Sequence, residues 1–143
     1  MIVLPPPEPI AKVLEQTRTI AVVGLSPKQH RPSNRVARYL IAAGFTVIPV
    51  NPGQDRILDR VCYPSLTRIP VPVDLVDIFR ASDRVLPVVQ EAITVGVRGI
   101  WMQEGIVNEE AADLASRHGL RVIMDRCLMT DHQAWLAASR KHD

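Results

Sequence analysis

Five short, nearly uninterrupted apolar runs alternate along this chain with segments whose apolar residues recur at helical spacing, and no other feature restricts the fold as much. The runs begin with TIAVV at residues 19–23 and TVIPV at 46–50, and continue with LVDIF at 75–79, GIWM at 99–102 and RVIM at 121–124. They are too short for helices and apolar at consecutive positions, which is the pattern of strands covered on both faces. Between them, residues 33–43 put Val36, Ala37, Leu40 and Ile41 on one helical face, with Gly44 as the stop. Residues 84–95 do the same with Val85, Val88, Val89 and Ala92, and residues 108–118 with Ala111, Ala112, Leu114 and Ala115.

Parallel neighbours need a long return connection, and a right-twisted strand favours one hand of crossover. Strict alternation therefore predicts an α/β chain with a Rossmann-like, doubly wound parallel sheet of about five strands, helices on both faces, and the strand order 3-2-1-4-5. A short helix over residues 10–16 is expected before the first strand, and a terminal helix over 132–140 covering one face. Pro5, Pro6, Pro7 and Pro9 exclude regular structure from residues 1–9, which read as an extended arm. There is no internal repeat and no change of composition, so residues 1–143 are expected to form one domain.

Composition narrows the partners. Seventeen Lys and Arg against 15 Asp and Glu, net +2, is too balanced for a nucleic-acid surface. No run reaches the roughly 18 apolar residues of a membrane span, and no charged and apolar leader opens the chain. Cys62 and Cys127 stand far apart without CxxC spacing, so neither a metal site nor a disulfide framework is expected, and a reducing cytoplasm fits.

In an open parallel sheet the ligand crevice lies beyond the carboxyl ends of the strands, at the switch in strand order. After the first strand come Gly24, Leu25, Ser26 and Pro27, then Lys28, His30, Arg31, Pro32, Ser33 and Asn34 before the helix that carries Arg35 and Arg38. Gly24 permits a sharp turn and close approach of a ligand. Ser33 is the expected N-cap of a helix whose free N–H groups attract phosphate. This is neither GxGxxG nor a P-loop, so the direct fingerprints of NAD and ATP sites fail.

The second strand ends in Val50, Asn51, Pro52 and Gly53, a turn sequence that also lacks the carboxylate an NAD site places there. A neutral Asn51 tolerates a phosphorylated ribose. Later strands end in Phe79 and Arg80, in Trp101 and Gln103, and in Asp125 and Cys127. Phe79 would flank a base, Arg80 would meet a phosphate, and Trp101 and Gln103 would line the opposite wall, although core packing is the better explanation of the aromatics and a poor one for Arg80. Cys127 reads as a small buried residue or as a reactive thiol.

Together, AVVGLSPKQHRPSNRVARYL, VIPVNPG, YPSL, VDLVDIFR, GIWMQEGI and VIMDRCLM resemble the small stand-alone CoA-binding proteins related to the succinyl-CoA synthetase alpha subunit, over nearly the whole chain. The resemblance implies coenzyme A or an acyl-CoA as ligand. By motif it places Gly24, Ser26, Pro27, Lys28 and Arg31 in the phosphate loop and Ser33 and Asn34 at the helix start. Val50, Asn51 and Pro52 fall along the nucleotide with Phe79 and Arg80 nearby, and Trp101, Gln103, Asp125 and Cys127 form the distal wall. Related ligases add a domain with a phosphorylated histidine. This chain ends soon after the first domain, and His30, His118, His132 and His142 form no nucleophile and base pair, so no residue is assigned a catalytic role. A binding module without chemistry of its own is the leading expectation, its protein partner unknown. The alternatives are an NADP-dependent oxidoreductase using Asn51 with Arg31 or Arg35, and an interaction protein with a vestigial crevice.

Overall fold

The computed structural model describes residues 8–140. Five parallel strands form one sheet: β1 (Thr19–Val23), β2 (Thr46–Val50), β5 (Leu75–Ile78), β6 (Gly99–Met102) and β7 (Arg121–Ile123). A separate two-stranded hairpin, β3 (Arg56–Ile57) with β4 (Arg60–Val61), follows β2. Five helices accompany them: α1 (Glu8–Gln16), α2 (Pro32–Ala42), α3 (Val85–Val95), α4 (Glu109–Arg117) and α5 (Leu128–Arg140).

Because side chains alternate across a strand, the apolar runs supply two cores at once. On one face Ile20, Val22, Leu75, Trp101 and Ile123 pack beneath Val13 of α1, Val36 and Leu40 of α2 and Leu128 of α5. On the other, Ala21, Val23, Val76, Ile78, Ile100 and Met102 pack beneath Val85 and Val89 of α3 and Ala111 and Ala115 of α4. The α/β class, the five strands and the helices on both faces are thus as the sequence predicts.

The strand order is not. It runs β2-β1-β5-β6-β7, which is 2-1-3-4-5 in the numbering of the expected strands, so the third strand lies beside the first and not outside the second. Pro49 supplies the physical reason. On β2, Thr46 N–H and the Val50 carbonyl point to the β1 side, bonding Arg18 and Gly24, whereas Pro49 and Asn51 point outward to Tyr63. A proline facing outward has no N–H to give a further strand, so β2 is an edge. The run at 75–78 is buried at every residue and belongs in the interior of the sheet.

Other boundaries move by smaller amounts. Residues 1–7 of the expected arm lie outside the described residues, and Glu8 and Pro9 begin α1, since proline is tolerated in a first helical turn. Ser33 is not an N-cap: Pro32 opens α2 and Arg31 holds the cap position with no side-chain capping bond. The terminal helix starts at Leu128, four residues before the expected 132.

Candidate functional site

At the carboxyl end of β1 the chain turns at Gly24, whose φ is +85°. A Cβ there would collide with the Phe79 carbonyl oxygen, so only glycine lets the β1 turn and the end of β5 approach this closely. Gly24 N–H donates to the Val50 carbonyl and Phe79 N–H to the Val23 carbonyl, each at 2.9 Å. Since β1 is the strand flanked by β2 on one side and β5 on the other, these residues stand at the switch in strand order, where a crevice must open.

The loop that follows is held from below by two buried polar residues of α2 and by the end of β2. Ser26 N–H donates to Ser33 Oγ at 3.0 Å, and Asn34 Nδ2 donates to the Ser26 carbonyl at 2.9 Å. Asn34 Oδ1 accepts from Arg38 Nε, whose guanidinium also reaches the Gln29 carbonyl at 3.0 Å. Asn51 Nδ2 donates to the Leu25 carbonyl at 3.0 Å while its Oδ1 accepts Gly53 N–H at 2.9 Å. Ser33, Asn34 and Asn51 therefore spend their polar atoms on shaping the loop.

Three openings run side by side along this edge of the sheet. The first, about 400 Å³, is lined by Gly24, Ser26, Lys28, Arg31, Pro32, Ser33 and Phe79. The second, about 280 Å³, shares Pro32 and Phe79 with it and adds Arg35, Val36, Gln103, Glu104, Ile106 and Cys127. The third, about 220 Å³, shares Glu104 and Cys127 with the second and adds Asp125, Arg126, Thr130 and Asp131. Shared walls make them one groove. Its charge is graded: Lys28, Arg31 and Arg35 lie toward the β1 end, and Glu104 and Asp125 toward the β7 end, where Arg126 and Asp131 pair with each other. The uncapped N-terminus of α2 faces the basic end and adds its own attraction for anions.

Of the residues singled out from the sequence, Gly24, Ser26, Lys28, Arg31, Ser33, Phe79, Gln103, Asp125 and Cys127 line this groove. Pro27 is exposed on the loop. Val50 and Trp101 are core residues, and Trp101 donates its indole N–H to the Arg126 carbonyl at 2.7 Å, so it supports the β7 end from within and offers no wall. Gln103 is almost fully buried and its Oε1 accepts the Leu128 N–H at 3.2 Å, which makes it chiefly a support for the start of α5. Val50, Asn51, Pro52, Arg80 and Trp101 line none of the three openings.

Sequence reasoning assigned nothing to Glu104 or to Asp77. Glu104 directly follows Gln103, and strand-end position was its signal. Asp77 gave none beyond a carboxylate inside an apolar run, and the structure buries it completely between Val22 and Trp101, with no hydrogen-bond partner for either oxygen. Burial pushes its carboxyl well above the usual range.

Comparison with known proteins adds an independent line. Residues 18–133 match the family described as CoA binding domain. The uncharacterized protein YneT of Bacillus subtilis (strain 168) is 38% identical over 123 residues, which are 86% of this chain and 91% of that protein. The acetate–CoA ligase [ADP-forming] I of Archaeoglobus fulgidus is 29% identical over 121 residues, 78% of this chain but only 18% of the ligase. A solved structure of a hypothetical protein from Pyrococcus horikoshii OT3 superimposes with a TM-score of 0.88 at 36% identity, covering 95% of this chain and 99% of that one.

Proposed function

Because this chain belongs to the CoA-binding domain family, we propose that it binds coenzyme A or an acyl-CoA in the groove, as a module without a complete catalytic apparatus of its own. The observation that carries the reading is the graded groove. A ligand with phosphates at one end and a long uncharged arm at the other suits a channel that is basic near Lys28, Arg31 and Arg35 and turns polar and acidic past Phe79. The phosphates would meet the loop after β1 and the start of α2, and the arm would run past Phe79 toward Cys127.

Among the described residues no helix is long and apolar enough to cross a membrane, and the ligand of this reading is a small molecule. The match covers 18% of the length of that ligase, and the binding proposed here concerns the matched part alone. Isothermal titration with coenzyme A, with NAD, NADP and ATP at equal concentration beside it, is the test. Saturable binding of coenzyme A is expected, with dephospho-coenzyme A weaker. Arg31→Ala should cost about 1.5–3 kcal/mol, the usual range for a charge-assisted hydrogen bond. Binding of NADP alone would replace this reading with the oxidoreductase, and no binding at all would refute it.

A further inference from the structure

The two ends of the groove differ in what they offer a ligand as well as in sign. At the β7 end Glu104 is exposed in the wall shared by the second and third openings, and Asp125, also exposed, lines the third. Among the described residues Arg126 is the only cation lining the third opening, and it is committed: its guanidinium donates to both oxygens of Asp131, at 2.7 and 2.9 Å. Such a bidentate pair holds its geometry and leaves little of the cation for a third partner. Glu104 and Asp125 enter no ion pair among the described residues, so their charge stands uncompensated.

Neutral donors around this end are spent as well. Gly105 N–H goes to Asp125 Oδ1 at 2.7 Å, the Trp101 indole N–H to the Arg126 carbonyl, Leu128 N–H to Gln103, and Asp131 N–H to the Cys127 carbonyl at 3.0 Å. The start of α5 opens on the same place, and a bare helix start would draw an anion. Asp131 sits in its first turn and already answers that dipole with a carboxylate. The start of α2 is the contrast: its first turn holds no acidic residue, and Lys28 and Arg31 line the opening beside it. One helix start is left free for an anion from outside, and the other is neutralised from within.

We propose that the β7 end of the groove selects the acyl group of the ligand, taking coenzyme A thioesters whose acyl chain ends without charge and disfavouring those that end in a carboxylate. This inference deepens the coenzyme A reading above and rests on it. With the phosphates at the loop after β1, the thioester end of the ligand lies where Glu104 and Asp125 face the groove. A carboxylate carried there meets two like charges, finds the only guanidinium of the third opening already paired, and finds the helix start beside it already satisfied. An alkyl end meets none of these penalties and lies against Ile106. Because Glu104 and Asp125 are exposed, water and salt screen the repulsion, so the selection is several-fold and not absolute.

Isothermal titration of the full chain at low ionic strength compares butyryl-coenzyme A with succinyl-coenzyme A, thioesters of equal acyl length that end in a methyl group and in a carboxylate, with coenzyme A itself beside them. Butyryl-coenzyme A is expected to bind about fivefold tighter than succinyl-coenzyme A, and the ratio to shrink as salt is added. Glu104→Gln should bring the ratio to about twofold, and Glu104→Lys should invert it. The ratio within one variant is the readout, so a general loss of affinity or stability cancels. Equal affinities for the two thioesters in the unaltered chain, tighter binding of succinyl-coenzyme A, or a ratio that Glu104→Lys leaves unmoved overturns the selection while coenzyme A binding stands. Failure of coenzyme A and both thioesters to bind removes the reading beneath it and the selection together.

Discussion

Gly24 and Asp77 are the two residues at which backbone and electrostatics are most constrained. At Gly24 a methyl group would meet the Phe79 carbonyl in a left-handed backbone conformation. Gly24→Ala should therefore cost about 2–4 kcal/mol, roughly 1 from the backbone and about 1–3 from overpacking, and should weaken ligand binding with it. Urea unfolding and titration of the same variant test both; a fully stable variant would show that the β1 turn has slack. At Asp77 the folded carboxyl is raised above its ordinary 3.8, so the stability it contributes is fully present below that value and is lost as pH rises toward the folded value. Asp77→Asn should remove a pH slope of at most about 1.4 kcal/mol per unit in that window and be the more stable protein at neutral pH. Parallel unfolding curves for the two proteins at pH 4.5 and 7.5 would contradict it.

At the scale of elements, α2 and α5 meet through a small aromatic cluster. Tyr39 OH and His132 Nδ1 are 2.6 Å apart, and Phe45 and Trp135 pack around the same imidazole with centroids 5.1 and 5.8 Å away. Burial lowers the His132 pKa from 6.5, so the unfolded chain binds its proton first and stability is lost as pH falls below 6.5. Tyr39→Phe should cost about 1–3 kcal/mol by leaving the buried ring nitrogen without its partner, and chemical unfolding at pH 7 measures it. A neutral result would mean that the α2–α5 seam is held by apolar packing alone.

The five strands and the inner faces of α2, α3 and α4 are legible in the sequence because burial on both sides writes itself as apolar runs and 3.6-residue spacing. Strand order was misread because a single residue, Pro49, carries the edge signal. The two-residue strands β3 and β4 are too short to leave a periodic trace. The start of α5 escaped notice since Arg126 to Thr130 shows no clear apolar stripe. Within the groove, Gly24, the basic loop and Cys127 were readable from their positions after strands. That Asn51 and Gln103 support the backbone was not, because side-chain partners remote in sequence decide it.

For the whole molecule, ligand binding and stability should be linked by mass action. At one hundred times its dissociation constant, coenzyme A should add about 2.7 kcal/mol and raise the melting temperature in a concentration-dependent way. A melting temperature unmoved by coenzyme A, measured beside NADP, would count against the groove as its site. The proline on the outer side of β2 has a further consequence for how copies of the chain meet. A neighbouring strand laid along that margin would find a pyrrolidine ring at Pro49 where it needs a donor, and Asn51 N–H already committed to the Tyr63 carbonyl. Lateral growth of the sheet into fibrils or strand-exchanged dimers is blocked on this side, which leaves β7 as the margin of the sheet where a further strand could be added.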